Sequence, residues 1–347
     1  MKKIIPVILF PCYAFSLQAQ TASVLPGLNN YTIPLNSKGA AIGKFIFSAT
    51  GKPRKISLAK DTSGLFRMSK TGVVSLKSNV SLSPTAGAFH YGITVKVEGS
   101  LVEFELVKDE FIHNGVVAHR GAWKNHQLTE NTVSSLKKAI ELGFEGSEFD
   151  VWLSSDNVPV ICHNASVQGK QIEKTTAGEL QKIDLKNGDV VPTLEQYLLT
   201  VKSQNKTRLF LEVKSSDISQ ERSLAVADSA VRMVHTLKAQ AWVRYISFNY
   251  GVLQHIRRLD PAANTAYLNG DKKVTELNTD KVSGLDYPFY SFHSDKSLTQ
   301  DAHQRGLSVN VWTVDKKEEM EFLLNCGVDM ITTNEPEMLM DILATKK

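Results

Sequence analysis

Apolar and polar residues alternate along short segments in the first third of the chain, as in β-strands with one buried face. Residues 93–98 and 102–106 alternate in this way on either side of a turn that contains glycine, which predicts a β-hairpin. Two further short strands are predicted at 43–47 and 72–76. Because no long helical pattern interrupts this region, we predict a small antiparallel β-sandwich over residues 21–110.

From residue 111 onward the pattern changes to strands that alternate with helices. Apolar residues recur at helical spacing in five segments, which are 132–142, 194–201, 223–237, 252–259 and 317–324. The strand-like segments are 115–119, 146–153, 158–163, 208–214, 243–248, 265–268, 283–287, 307–313 and 328–333. This α/β alternation over 111–347 is typical of a (β/α)₈ TIM barrel, and because nine strand-like segments are one too many, we expect one of them to be a turn or short connector. A doubly wound sheet is the alternative, but it would concentrate the charged residues at one switch point.

The first twenty residues have the character of a secretory signal peptide. Lys2 and Lys3 precede an apolar stretch that ends near Leu17 and is too short to anchor the chain in a bilayer. No later stretch predicts a transmembrane segment. We therefore expect residues 1–20 to be removed and the protein to be exported, either periplasmic or secreted.

Charge and cysteine content narrow the classes of partner. The formal net charge is +4, and removal of residues 1–20 takes away two lysines and no acids, which leaves +2 (4 − 2). A near-neutral chain gives no argument for nucleic acid binding. Cys162 and Cys326 remain after processing, and the barrel prediction separates them too far for a disulfide. We predict that both are buried free thiols.

Charged side chains follow successive predicted strands in the second region. The set comprises His119, Arg120, Glu130, Glu148, Asp150, His163, Glu212 and Lys214. Residues two apart in a strand share a face, so Glu148 points the same way as Asp150. Neighbouring carboxylates inside a barrel repel each other unless a cation neutralises them. The pattern therefore indicates a metal-assisted site that acts on an anionic substrate.

These motifs, in this order, resemble those of the glycerophosphodiester phosphodiesterase family, over about residues 112–340. Further matching segments are Val160-Ile161-Cys162-His163, Val191-Pro192-Thr193-Leu194-Glu195, Leu211-Glu212-Val213-Lys214, Val311-Trp312-Thr313-Val314 and Gly327-Val328-Asp329-Met330-Ile331-Thr332-Thr333. The resemblance implies metal-dependent hydrolysis of glycerophosphodiesters to glycerol 3-phosphate and an alcohol. In the implied mechanism the glycerol 2-hydroxyl attacks phosphorus, and water then opens the cyclic phosphate.

The resemblance also implies a role for each charged residue. The implied ligands of one divalent cation, Mg²⁺ or Ca²⁺, are Glu148, Asp150 and Glu212. The implied acid–base pair is His119 and His163, and the implied phosphate contacts are Arg120 and Lys214. Trp312, at a strand end, either packs the barrel or walls the substrate pocket. Glu130, at the start of a helix, either caps that helix or supports the site.

One position departs from the family pattern. Asn164 follows His163, where the family usually has aspartate. Asparagine keeps hydrogen bonding but removes the charge, so we expect retained activity with a changed pH dependence or rate. The segment 164–192 is short, which predicts a small cap over the site.

Two other functions remain open on the sequence alone. The same barrel chemistry would serve a phospholipase D-like or lysophospholipid hydrolase. Alternatively, the chain is a non-catalytic surface-binding protein in which the sandwich does the work. Residues 63–73 and 91–95 resemble a cadherin-like repeat, a β-sandwich of immunoglobulin-like type, without its calcium-binding acidic clusters. We therefore expect the sandwich to be a spacer or a buttress on the substrate side of the barrel.

Overall fold

The structure is a computed structural model that describes residues 24–46 and 55–345. The predicted signal peptide, residues 1–20, lies outside the described residues, as does residue 47 of the predicted strand 43–47. The strands of the amino-terminal region are β1 (Gly27–Leu28), β2 (Thr32–Ile33), β3 (Ala41–Ile46), β4 (Ile56–Asp61), β5 (Phe66–Met68), β6 (Val73–Leu76), β7 (His90–Val97) and β8 (Ser100–Lys108).

These strands form two four-stranded sheets packed as a sandwich, as the alternating pattern predicted, but β2 runs parallel to β8, so the sandwich is not wholly antiparallel. One sheet has the order β1-β3-β6-β5 and the other the order β2-β8-β7-β4. Phe45 of the first sheet meets Phe104 of the second edge to face, with ring centroids 5.2 Å apart, in the core between the sheets. The predicted hairpin is β7–β8, but its turn is Glu98-Gly99, one residue earlier than expected. Both turn residues have positive φ, as a tight two-residue hairpin requires.

The remaining strands are β9 (Val116–Ala118), β10 (Gly146–Leu153), β11 (Pro159–Ile161), β12 (Ser166–Val167), β13 (Lys170–Gln171), β14 (Arg208–Val213), β15 (Val243–Ser247), β16 (Thr265–Tyr267), β17 (Gly284–Pro288), β18 (Ser308–Trp312) and β19 (Met330–Thr333). The α-helices are α1 (Val133–Glu141), α2 (Ala177–Leu180), α3 (Leu194–Val201), α4 (Gln220–Thr236), α5 (Tyr250–Leu259), α6 (Val274–Thr279), α7 (Tyr290–Ser294), α8 (Leu298–Gln304), α9 (Lys317–Asn325) and α10 (Pro336–Thr345). Short 3₁₀ helices cover Lys124–His126 and Ile172–Lys174.

Eight parallel strands close into a barrel, which confirms the (β/α)₈ prediction. Their order is β9-β10-β14-β15-β16-β17-β18-β19, and β19 pairs back onto β9. The extra strand-like segment, 158–163, is neither a turn nor a barrel strand. It is β11, which runs antiparallel to the far end of β10, outside the closed barrel. The extra pairing arises because β10 continues past the barrel as far as Leu153.

The helices bury their apolar faces against the outside of the barrel, and side-chain caps set where several of them begin. Thr132 caps α1 by accepting from the Ser135 backbone N–H, with the Ser135 hydroxyl accepting in return. Tyr197 of α3 is fully buried, and its hydroxyl donates to the Thr132 carbonyl at 2.8 Å. This bond ties α3 to the start of α1, next to the segment that carries Arg120 and Glu130.

The sandwich lies against the amino-terminal ends of the barrel strands. Asn205 Nδ2 donates to Lys108 O at 3.1 Å, and the Leu25 N–H donates to Leu259 O at 2.7 Å. Lys202 forms an ion pair with Glu105 at 2.8 Å. Residues 202–206 lead into β14 and residues 259–264 lead into β16, so these contacts lie at the strand starts. The predicted buttress on the substrate side is therefore wrong, because the charged residues lie at the opposite ends of the strands.

Candidate active site

Three acidic side chains meet inside the barrel near its carboxyl-terminal end. Glu148 and Asp150 come from β10, and Glu212 comes from the neighbouring β14, where it is directly opposite Asp150. One carboxylate oxygen of each lies within 4.8 Å of those of the others, and all three residues are buried. We call these residues the acidic cluster. Strand alternation brings them together, since the residue between the two acids, Phe149, points outward into the helix-covered core.

The protonation of the acidic cluster reflects burial and mutual repulsion. Burial raises the pKa of Glu148 well above its usual range, and Asp150 and Glu212 raise it further. Burial, with Asp150, also raises the pKa of Glu212 to about 8, although Lys214 opposes the shift. Burial favours a higher pKa for Asp150 as well, but Lys214, His163 and Asn131 outweigh burial and lower it. The cluster is therefore short of positive charge, and oxygen ligands of this kind suit a hard divalent cation.

Two cationic side chains border the acidic cluster. Lys214 Nζ lies 2.9 Å from Glu212 Oε1 and 3.2 Å from Asp150 Oδ1. Burial would lower the pKa of Lys214, but these two carboxylates outweigh it and raise the pKa. Arg120 Nη1 donates to Glu130 Oε2 at 2.9 Å, and Arg120 Nε lies 3.8 Å from Asp150 Oδ2. Arg120 and Lys214, the side chains predicted to contact phosphate, thus lie beside the acidic cluster, and both form ion pairs with carboxylates.

A strained turn after β9 sets the position of Arg120. Arg120 has a φ of 57° and Gly121 a φ of 83°, both in the left-handed region. The turn aims the Arg120 backbone N–H at Glu148 Oε2, 3.0 Å away. A Cβ on Gly121 would lie 2.4 Å from the Ser135 hydroxyl oxygen, so only glycine fits this close approach to α1.

His119 follows β9 and faces the acidic cluster. Its Nε2 lies 3.8 Å from Glu148 Oε2, and its Nδ1 lies 2.9 Å from Asn334 Oδ1. Burial lowers the pKa of His119, and Arg120 adds to this, while the bond to Asn334 and the nearby acids oppose it. The imidazole is therefore favoured in its neutral form, which is the form that accepts a proton.

His163 is the second predicted histidine, and the structure brings it to the same end of the barrel. It follows Cys162 after β11, and its Nδ1 lies 2.9 Å from Asn164 Oδ1. Burial lowers the pKa of His163, with Arg120 and Lys214 adding to the shift, whereas Asp150 opposes it. The side chain that departs from the family pattern, Asn164, thus contacts His163 directly and is itself exposed.

The two residues with alternative roles are now placed. Glu130 does not cap α1, since Thr132 does so, and Glu130 instead pairs with Arg120. Trp312 at the end of β18 donates from its Nε1 to Asp286 O at 2.8 Å and meets Phe248 edge to face, with centroids 5.2 Å apart. Trp312 is half-buried and Phe248 exposed, so the indole both packs the barrel and borders its mouth.

Three polar residues at the site were not predicted. Asn131 is buried, donates to Asp150 Oδ2 at 2.8 Å and accepts from the Asp150 N–H at 3.2 Å. Asn334 contacts His119, and Asp315 accepts from Asn334. A signal existed for Asn334, because it directly follows the predicted strand 328–333. Asn131 adopts a φ of 58°, in the left-handed region that asparagine tolerates better than most residues, and this conformation has no periodic sequence signal.

Cys162 and Cys326 are free, as predicted, but half-buried rather than buried. Cys162 follows the antiparallel β11 and not a barrel strand, so part of the geometric reason for separating the pair was wrong. Burial raises the pKa of Cys162 to about 11, which makes this thiol unreactive.

Within residues 24–46 and 55–345, every helix is too short or too polar to cross a bilayer.

Residues 119–338 match the glycerophosphoryl diester phosphodiesterase family. A glycerophosphodiester phosphodiesterase of Caldanaerobacter subterraneus is 27% identical over 242 residues, which cover 66% of this chain and 97% of that protein. The crystal structure of one from Parabacteroides distasonis is 40% identical with a TM-score of 0.65, covering 67% of this chain and 98% of that one. A phosphodiesterase of Oleispira antarctica, solved with its product sn-glycerol-3-phosphate, shares the fold at 23% identity and a TM-score of 0.57, over 66% of this chain and 96% of that one. By its family match and these relatives, the chain belongs to the glycerophosphoryl diester phosphodiesterase family.

Proposed function

We propose that this protein hydrolyses glycerophosphodiesters to glycerol 3-phosphate and an alcohol, with one divalent cation, Mg²⁺ or Ca²⁺. The observation that carries the proposal is that the acidic cluster, two histidines and the cationic side chains of Arg120 and Lys214 lie at one end of the barrel. Membership of the family and the product bound by the Oleispira antarctica protein support the same substrate class.

The acidic cluster has the chemistry to hold the cation. Its donors are three carboxylates. Among the described residues Lys214 and Arg120 border them, but Arg120 is also paired with Glu130, so four acidic side chains face two cationic ones, an excess of two acidic groups (4 − 2). A bound divalent cation would be held by Glu148, Asp150 and Glu212, and would polarise a phosphoryl oxygen and offset the charge that develops in the transition state. Asn131 keeps the Asp150 carboxylate in place for this role by bonding it twice.

Arg120 and Lys214 bind and orient the phosphate group in this proposal. Arg120 presents a planar fork that matches two phosphate oxygens, whereas Lys214 acts as a point charge. Trp312 and Phe248 border the mouth beside them and exclude water from one side of the substrate.

His119 and His163 exchange protons with the substrate. One accepts the proton of the glycerol 2-hydroxyl as it attacks phosphorus, and the other protonates the leaving alcohol oxygen. The roles reverse when water opens the cyclic phosphate. Because burial lowers the pKa of both imidazoles, one can begin as the base near neutral pH.

Product release from several glycerophosphodiesters tests the proposal. We expect glycerol 3-phosphate to form with Mg²⁺ or Ca²⁺ and to stop forming with chelator. Asp150→Asn should abolish turnover and the rise in unfolding temperature that the metal causes. Glu145→Gln is the matched control, because Glu145 is also buried but precedes β10 at the other end of the barrel.

Two results would reject this proposal. One is full turnover in chelator, and the other is metal-induced stabilisation that survives in Asp150→Asn. The same assay with lysophosphatidylcholine tests the lysophospholipid alternative, since preferential cleavage of that lipid would reassign the substrate.

We also propose that the protein is exported and loses residues 1–20. The support is the pair of lysines and the apolar stretch that follows them. Fractionation of the native host, with amino-terminal sequencing of the mature protein, tests this. A cytoplasmic protein that retains Met1 would contradict it.

A further inference from the structure

Two polar side chains, Asp315 and Asn334, connect solvent to the imidazole of His119. Asp315 Oδ2 accepts from Asn334 Nδ2 at 2.8 Å, and Asn334 Oδ1 lies 2.9 Å from His119 Nδ1. The Asn334 backbone N–H also donates to Asp315, to Oδ1 at 2.8 Å. Asn334 is therefore held by Asp315 through both its side chain and its backbone.

The hydrogen-bonding capacity of each group determines where the proton on His119 lies. A carboxylate oxygen accepts, so the side-chain atom of Asn334 that faces Asp315 must be its NH₂ group. The atom that faces His119 is then the amide oxygen, which can only accept. His119 Nδ1 must therefore carry a hydrogen, and in a neutral imidazole this leaves the lone pair on Nε2.

The barrel itself builds this contact. His119 directly follows β9 and Asn334 directly follows β19, and these two strands are neighbours, with Ala118 opposite Thr333. The His119 backbone N–H donates to Thr333 O at 2.9 Å, which fixes the height of the imidazole beside Asn334. The free Nε2 consequently points toward Glu148, 3.8 Å away, and not toward solvent.

We propose that Asn334, locked by Asp315, is a positioning residue that holds His119 as the Nδ1–H tautomer, so that Nε2 is the atom that exchanges a proton with the substrate. The catalytic part of this inference rests on the proposed phosphodiesterase function. His163 differs, because its partner Asn164 is exposed and water competes for that amide. Only one of the two histidines is thus locked from its far side by a carboxylate.

The tautomer can be observed directly by NMR. The protein is labelled with ¹⁵N-histidine, saturated with Mg²⁺ and studied at about pH 8, where an ordinary imidazole is neutral. A two-bond nitrogen–proton correlation spectrum identifies the protonated ring nitrogen, and His119→Gln assigns the His119 signals. We expect hydrogen on Nδ1 in the unaltered protein. Hydrogen on Nε2 would overturn the proposal.

Two substitutions of Asn334 connect the tautomer to turnover. Asn334→Ala removes the acceptor and should release the Nδ1–H tautomer, with kcat falling about 10- to 100-fold and KM changing little. Asn334→Asp keeps an acceptor facing Nδ1 but loses the donor to Asp315 and places two carboxylates side by side, so it should restore the Nδ1–H tautomer but only part of kcat. Asn249→Ala is the matched control, because Asn249 caps α5 at the same end of the barrel and has a purely structural hydrogen bond.

The outcomes separate this inference from the proposed function. Asn334→Ala with unchanged kcat would overturn the positioning role. An equal loss of kcat in Asn249→Ala, with the Nδ1–H tautomer intact in both variants, would also overturn it. An Nδ1–H tautomer in a protein that hydrolyses no glycerophosphodiester would instead reject the proposed function and leave the lock on His119 established.

Discussion

Asp286 carries a buried carboxyl group whose charge should weaken the barrel as pH rises. It lies on β17, is 1% exposed and accepts from Asn310 Nδ2 at 3.0 Å through Oδ2. Its other oxygen is buried, and no hydrogen-bond partner for it lies among the described residues. Burial raises the pKa of Asp286 from 3.8 to about 7, although Asn310 and Arg244 oppose the shift. We therefore expect Asp286→Asn to stabilise the protein, and to do so more at high pH.

The sign and size follow from proton linkage. Between pH 3.8 and 7 the folded protein keeps a proton on Asp286 that the unfolded chain releases, so folding becomes less favourable as pH rises. At about 1.4 kcal/mol per pKa unit, the penalty is about 1.6 kcal/mol at pH 5 and about 4.4 kcal/mol above pH 7. The advantage of Asp286→Asn should therefore grow by up to about 3 kcal/mol between pH 5 and pH 8.

Urea unfolding of both proteins at pH 5 and pH 8, followed by tryptophan fluorescence, measures this difference. The new amide has its own hydrogen-bonding cost of about 1–3 kcal/mol, but that cost is the same at both pH values and cancels. Groups common to both proteins cancel as well. An advantage that stays constant with pH, or shrinks as pH rises, would show that Asp286 is not held protonated by its surroundings.

Three further predictions concern Gly121 in the turn after β9, the hydrogen bonds between Asn131 and Asp150, and the removal of the sandwich. Gly121→Ala should destabilise the fold well beyond the ~1–2 kcal/mol of left-handed strain alone, because the new Cβ meets Ser135. Gly188→Ala is the control, since Gly188 has a φ of 77° and nothing lies within 4 Å of its new Cβ. Equal losses of unfolding free energy in the two variants, measured by urea unfolding, would contradict this prediction. Asn131→Ala should weaken Mg²⁺ binding about 10- to 100-fold in calorimetry, since Asp150 loses two bonds; an unchanged Kd would remove Asn131 from the site. A chain that begins at residue 111 should unfold at a lower temperature yet keep its kcat, because the described contacts of the sandwich lie at the starts of the barrel strands. Thermal unfolding and a turnover assay measure the two properties, and a folded barrel with little turnover would count against this prediction.

Periodic patterns predicted the parts of the fold that repeat them. The bounds of α3 were predicted to the residue and those of α9 to within one, because each presents an apolar stripe over two or more turns. Helices α2, α6, α7 and α8 were missed, since four to seven residues are too few to show the helical period, and α10 was missed although it spans ten residues. β11 was recognised as extended, but its antiparallel direction depends on a partner that the local sequence does not reveal.

Site residues were predictable where strand alternation or a strand end places them. Glu148, Asp150 and Glu212 were found in this way, and the structure brings their carboxylates together. Asn131 and Asp315 were missed because each acts through a side chain in a loop, where no periodicity constrains direction. The position of the sandwich was also beyond the sequence, since it depends on contacts such as Lys202 with Glu105, between residues distant along the chain.

The attachment of the sandwich to the strand starts separates two kinds of evolutionary change. Substitutions in the loops after the strands alter which alcohol the barrel accepts without disturbing the surface on which the sandwich is mounted. Conversely, the edge strand β4 can diversify, or acquire a partner, without passing strain to the mouth. Exchanging the sandwich between relatives should therefore change the surface that β4 presents without changing which substrates the barrel accepts.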